Sequence, residues 1–186
     1  MNDTAEGHLL EVRNLAVEFE LSESTVQAVK GVSFHVDRGE TLAIVGESGS
    51  GKSVTARAIM KLLPKTARIG KASEILLHGA RIDRFGEKQM LQVRGDRIAM
   101  IFQEPMSSLN PIYRIGDQIA ETLILHQGMT KKEARARALE LLKEVRIPDP
   151  EARLDQYPHQ LSGGQRQRVM IAIAIANNPE LLIADE

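Results

Sequence analysis

Eight consecutive residues, Gly46-Glu47-Ser48-Gly49-Ser50-Gly51-Lys52-Ser53, satisfy the pattern G-x-x-x-x-G-K-[ST] and directly follow the apolar run Leu42-Ala43-Ile44-Val45. A run without polar alternation predicts a strand covered on both faces in a parallel sheet, so the segment calls for strand, glycine turn and helix in that order. The glycines let several backbone N–H groups converge on phosphate oxygens, and a helix opening near Gly51 aims its positive dipole end at them. Lys52 supplies a mobile charge. Ser53 stands one residue further into the helix, where its hydroxyl can complete the shell of a magnesium ion that keeps several waters. The spacing implies a nucleoside triphosphate site in an α/β fold.

The rest of the chain is read around that element. At 186 residues it has room for one domain with a sizeable core, or one large domain with an insertion. Lys+Arg 24 against Asp+Glu 25 leaves a net charge of -1, which gives no global electrostatic reason to expect a nucleic-acid partner. Cysteine is absent, which excludes disulfides and thiolate metal sites and permits a reducing compartment. The five histidines lie far apart and show no metal-ligand spacing, so each is expected to be a surface or packing residue. Met1 to Gly7 is polar and acidic, unlike a secretion signal, and the run Val169 to Ala176 falls far short of the about 20 residues a membrane-spanning helix needs. The expectation is a cytosolic protein whose membrane link goes through a partner.

Alternation at Leu15, Val17, Phe19 and Leu21, and again at Val32, Phe34 and Val36, predicts two half-buried strands, antiparallel to each other. Val54, Ala58, Ile59, Leu62 and Leu63 recur at helical spacing and should stop near Pro64. Ile98 to Phe102 predicts a second buried strand, which Pro105 ends just after Gln103. From about Asp117 to Val145 the pattern is helical, broken by Gly128 and restarted by a capping box at Thr130 and Glu133. Periodicity fits equally a helical insertion or a pair of helices covering the sheet. After turns at Pro148, Pro150 and Pro158, Ser162 and Gln165 form a second capping box. Gly163 and Gly164 in the first turn would let an anion approach bare N–H groups. Leu181 to Ala184 predicts a buried strand that presents Asp185 and Glu186 at its end.

Taken together, the phosphate loop, Gln103, Leu161-Ser162-Gly163-Gly164-Gln165 and Leu181 to Glu186 resemble the nucleotide-binding subunit of an ATP-binding cassette transporter. Phosphate loops serve many enzymes; the serine-glycine-glycine-glutamine element ahead of an acidic strand is what narrows the resemblance. Phe102 to Pro111 and Tyr157-Pro158-His159-Gln160 are similar to the oligopeptide, dipeptide and nickel importer branch, including the two-cassette peptide importers of the microcin C type.

That resemblance implies an α/β fold of the P-loop NTPase (RecA-like) type with an N-terminal antiparallel β subdomain. It puts the nucleotide-binding domain at 9–186, a helical subdomain at 106–164 and a disordered N-terminus at 1–8. The implied cofactors are ATP and Mg2+. Gly46, Glu47, Ser48, Gly49, Ser50, Gly51, Lys52 and Ser53 would hold the phosphates. Phe19 would stack on adenine, although it also continues the apolar alternation of its strand. Gln103 would touch the metal and the attacking water, Asp185 would hold magnesium with Ser53, and Glu186 would act as general base with Lys52 stabilising charge. Ser162, Gly163, Gly164 and Gln165 would meet the ATP of an opposite cassette, so function belongs to a pair.

The implied partners are a second cassette (identical, related, or in the same longer chain), integral membrane permease subunits and, indirectly, a solute-binding protein, with no nucleic acid. The implied place is the cytoplasmic face of the bacterial inner membrane, held peripherally. In the family the chain continues past the acidic strand with an aspartate loop, a histidine and a strand that inserts beside the phosphate-loop strand. The resemblance therefore implies a fragment, truncated after Glu186, that folds poorly or hydrolyses slowly alone. A nucleotide-binding module without turnover, and a soluble cassette ATPase of DNA repair or translation, are the alternative function classes.

Overall fold

The computed structural model describes residues 7–21, 24–103 and 109–185, so Glu104 to Ser108 and Glu186 lie outside the described residues. The chain forms two compact units, Met1–Leu91 and Gln92–Glu186.

In the first unit, β1 (Leu10–Glu20) pairs antiparallel with β2 (Thr25–Val36), as the alternating residues predict. The buried positions of β1 are Leu10 and Val12, then Leu15 and Val17. A register shift between Val12 and Leu15, with Asn14 at φ 48, inserts one extra residue. This bulge returns the second pair to the core face after an odd step. Helix α1 (Lys52–Ile59) packs on both strands and buries Thr55, Ala58 and Ile59. It ends short of the expected Pro64 because Lys61 turns to φ 51, and the Lys61 ammonium then donates to the carbonyls of Asp83 and Phe85.

The remaining strands went unseen in the alternation pattern. β3 (Ala67–Ile69) and β4 (Glu74–Leu77) both pair antiparallel with β1, and β5 (Ala80–Arg81) closes a hairpin on β4. Ile75 and Leu77 are fully buried. Beyond a 3-10 turn at Ile82–Arg84, the short α2 (Glu87–Met90) seals the unit with the buried Met90.

The second unit contains β6 (Ile98–Ile101) and β7 (Leu181–Ala184), which pair in parallel from Ile98↔Leu181 to Ile101↔Ala184. The Arg97 guanidinium donates to the Glu180 carboxylate at 2.8 Å where the two strands begin. Around them stand α3 (Ile115–Gln127), α4 (Lys131–Glu144), the single turn α5 (Pro150–Arg153) and α6 (Gly163–Ile175). Both helix boundaries read from sequence hold: Gly128 ends α3 in the left-handed region, and Thr130 with Glu133 opens α4. One core joins Ile119 and Leu123 of α3, Leu141 and Leu142 of α4, and Val169 and Ala172 of α6. Each buried leucine there contributes about 1.5–3 kcal/mol relative to exposure.

Asn177, buried after α6, ties this bundle to the strand entry. Its amide donates to the carbonyl of Gly95 at 2.9 Å and to the Thr122 hydroxyl at 3.2 Å, and accepts from Gln127 at 2.9 Å.

Two expectations require correction. Leu42 to Val45 is not a buried strand: no ladder forms there among the described residues, and Val45 is 89% exposed. β7 does form, but its residues alternate between half-buried and exposed instead of being covered. The cause is shared. An interior parallel strand is created by neighbours on both edges, and the described residues offer β7 only β6 and offer 42–45 none.

Candidate functional site

Within the first unit, the phosphate-loop residues form a turn leading into α1. The Ser50 amide donates to the Glu47 carbonyl at 3.1 Å, and the Thr55 amide to the Gly51 carbonyl at 2.9 Å, which starts the helix. Gly51 is the N-cap, at φ 95, and no side chain caps the helix. A Cβ there would stand 2.4 Å from the carbonyl oxygen of Ala28 on β2, so only glycine lets the turn lie against the sheet. The Lys52 ammonium curls over the loop and donates to the carbonyls of Gly46 at 2.8 Å and Glu47 at 3.0 Å. Gly46 to Ser50 are exposed, whereas Gly51, Lys52 and Ser53 are half-buried where the helix meets the sheet. An exposed turn at a helix start without a side-chain cap, with an ammonium hooked across it, is an arrangement able to receive an anion. Phe19, also in this unit, is half-buried on β1 and lies in register with Val26 and Ala67.

The second unit carries the remaining described candidates. Asp185 follows β7 and is 7% exposed; its amide donates to the Ile101 carbonyl at 3.0 Å, extending the ladder one step past the strands. Gln103 is exposed two residues beyond the end of β6. Parallel pairing thus brings Gln103 and Asp185 to the same, C-terminal edge of the two-stranded sheet, where ligands of open α/β sheets bind. Glu186 falls outside the described residues.

Ser162 is the N-cap of α6. Its amide donates to the Gln165 side chain at 2.9 Å, and the Gln165 amide donates to the Ser162 hydroxyl at 3.3 Å, which is the reciprocal box read from the sequence. Gly163 and Gly164 behave unlike Gly51: neither has a positive φ, and a Cβ on either would meet nothing within 4 Å.

The second unit also bears a groove of about 770 Å³ along α3 and the start of α4, lined by Tyr113, Asp117, Glu121, Ile124, Leu125 and Arg135 among others. Leu125, in this lining, is 73% exposed, as is Ile112, one residue before Tyr113. Arg135 and Arg114 both donate to Asp155, and they hold its carboxyl below the ordinary carboxylate range, Arg135 contributing most. Sequence reasoning missed this groove, and it also missed the strand-orienting roles of Asn177 and of the Arg97–Glu180 pair. An asparagine directly after an apolar helix was the available signal for the first of these. Among the described residues, no helix is long and apolar enough to cross a membrane.

The chain as a whole is similar to known proteins. The family model described as ABC transporter matches residues 29–186. The oligopeptide transport ATP-binding protein of Bacillus subtilis is 57% identical over 96% of this chain and 50% of its own length. A dipeptide transport ATP-binding protein of Lactococcus lactis is 52% identical over 98% of this chain and 52% of its own. The chain therefore spans about half the length of these curated relatives. Among solved structures, an ATP-binding cassette in a dimeric post-hydrolysis state bound to ADP and Pi aligns with a TM-score of 0.83 at 31% identity, covering 94% of this chain and 72% of that one. With the family model spanning the phosphate loop, the capped glycine helix and the acidic strand alike, this chain belongs to the ABC transporter family.

Proposed function

We propose that the chain is the ATP-binding, ATP-hydrolysing part of an importer for peptides or related solutes, working as one of a pair of cassettes at the cytoplasmic face of a bacterial inner membrane. The observation that carries this reading is the contrast in glycine environment. Gly51 is required by the chain's own packing, whereas among the described residues nothing lies within 4 Å of a Cβ at Gly163 or Gly164, as expected if a molecule from outside occupies that space.

On this reading, the amides of Gly46 to Ser53 bind the phosphates and the Lys52 ammonium exchanges its two loop carbonyls for phosphate oxygens. Phe19 contributes an aromatic face to the base, which by comparison with nucleic-acid stacking is worth about 1–3 kcal/mol. Ser53 in the first unit, and Gln103 and Asp185 in the second, each offer an oxygen donor (a hydroxyl, an amide carbonyl and a carboxylate) of the kind that suits Mg2+, which when bound would neutralise phosphate charge. Gln103 orients the attacking water, and Glu186 accepts its proton. Ser162, Gly163, Gly164 and Gln165 cover the nucleotide held by the opposite cassette. The helical subdomain at 106–164 receives a helix of the membrane permease in the groove beside Leu125, and a solute-binding protein acts through that permease. The names of the relatives, oligopeptide and dipeptide transport proteins, support peptides as the substrate class.

The test is ATP hydrolysis in proteoliposomes containing the permease and the chain within its full-length protein. Peptide-stimulated turnover that Lys52→Ala abolishes supports the reading; turnover indifferent to the permease overturns it. A second reading, nucleotide binding without turnover by these 186 residues on their own, is favoured by segment 42–45, which joins no ladder among the described residues. Retention of a fluorescent ATP analogue without phosphate release would identify it.

A further inference from the structure

Sequence spacing kept the histidines apart, but strand pairing brings two of them together. His8 leads into β1 and His35 is in β2; the antiparallel register Leu10↔Val36 and Glu11↔His35 sets the two ends side by side. Their imidazoles stack with centroids 3.8 Å apart, and the Nδ1 of His8 lies 2.6 Å from Oδ1 of Asp37. One donor atom from each of His8, His35 and Asp37 falls within 4.8 Å of the others.

We propose that His8, His35 and Asp37 form a surface site for one divalent transition-metal ion of the Zn2+ type. Two imidazoles and a carboxylate suit a borderline ion and disfavour Mg2+, which selects oxygen donors. The backbone beneath is fixed: Leu9 and Leu10 are buried after His8, and Val36 is buried between His35 and Asp37, which therefore project to one face of the strand end. Ligand atoms in a tetrahedral zinc site lie about 3.4 Å apart, so the His8–Asp37 pair, at 2.6 Å, opens by a little under 1 Å while the wider separations, all within 4.8 Å, close toward that value. His8 gives up its hydrogen bond to Asp37, and its neutral ring carries the proton on Nε2 while Nδ1 ligates. His8 and Asp37 are partly exposed, their side chains 39% and 57%, so water can complete the coordination shell.

The site shares no residue with the nucleotide machinery, so it is tested without ATP. Calorimetric titration of ZnCl2 into the chain, with excess MgCl2 holding the oxygen-rich sites, should show saturable one-to-one binding. His8→Ala and His35→Ala should each weaken it at least tenfold, and Asp37→Asn severalfold, while His126→Ala and His159→Ala leave it unchanged. In the unmutated chain, the ring resonances of His8 and His35 should shift with Zn2+ and stay fixed with Mg2+, a readout independent of how the variants fold. Absence of saturable binding, or binding that moves other histidine rings instead, overturns the proposal.

Discussion

The starts of α1 and α6 are both glycine-bearing helix N-termini, yet they are built on opposite principles. The first has no side-chain cap and is moulded by the chain itself: Gly51 sits at φ 95, wedged against the Ala28 carbonyl, with Lys52 hooked over the turn. At α6 a reciprocal Ser162–Gln165 box satisfies the helix from within, and its two glycines stand in open space. One end is a socket shaped by the chain's own contacts; at the other, among the described residues, nothing stands within 4 Å of a Cβ on either glycine. Identical residue types thus carry different information according to whether the chain's own atoms explain them.

Substitution at the two ends should separate these roles. The largest effect is expected for Gly51→Ala, which combines a strained left-handed backbone with overlap against a main-chain atom that cannot swing away. A loss of about 2–4 kcal/mol in folding stability should appear in thermal unfolding, together with loss of nucleotide binding. An unchanged melting temperature would erase the distinction drawn above. Lys52→Ala comes next, with stability preserved and nucleotide affinity reduced by about 1.5–3 kcal/mol, the worth of a hydrogen bond to a charged group. Equilibrium titration with a fluorescent ATP analogue measures it.

At the other end the sign reverses. Gly163→Ala should leave nucleotide affinity of the single chain unchanged and stabilise α6 by up to about 1 kcal/mol, since alanine is the better helix former and its methyl meets nothing. ATP-dependent pairing, followed by light scattering, should nevertheless decline. A fall in the single chain's own affinity would show that α6 serves its own nucleotide after all. Ser162→Ala removes the cap and should lower stability by about 1 kcal/mol.

How far the sequence was legible follows the same division between local and distant causes. Thr130 with Glu133, Ser162 with Gln165, and Gly128 were readable because a helix end is decided by a few adjacent residues. β1 and β2 were readable from alternation, although the bulge at Asn14 was not, since a one-residue shift is settled by the partner strand. β4 escaped because Ile75-Leu76-Leu77 has no alternation and becomes a strand through its pairing with β1. Segment 42–45 failed in the reverse direction: its composition suits an interior strand, but composition supplies no ladder partner. The turn leading into α1 was readable because its residues, Gly46 to Ser53, are contiguous. The His8–His35–Asp37 cluster was invisible, because β1–β2 pairing alone brings residues 29 positions apart together.

The smallest expected effect sharpens the comparison by adding a third helix start. The α4 box has the same design as that of α6, but a carboxylate takes the place of an amide: Glu133 accepts from the Thr130 amide at 2.9 Å and from its hydroxyl at 2.7 Å. Those bonds, the hydroxyl's first, hold the Glu133 carboxyl below its ordinary value. A carboxylate with a depressed folded pKa adds stability that is fully present above the unfolded value. That contribution is lost as pH falls through the lower, folded one. Acidification from pH 7 to below about 4 should therefore loosen the first turn of α4, and because Glu133 is exposed the change should be local. The α6 box contains no titrating group, so its first turn should be indifferent to the same change. Chemical shifts of the Glu133 and Gln165 amides, followed through one titration, compare the two directly. Parallel movement of both would show that acid acts on the helical bundle as a whole and not on a single cap.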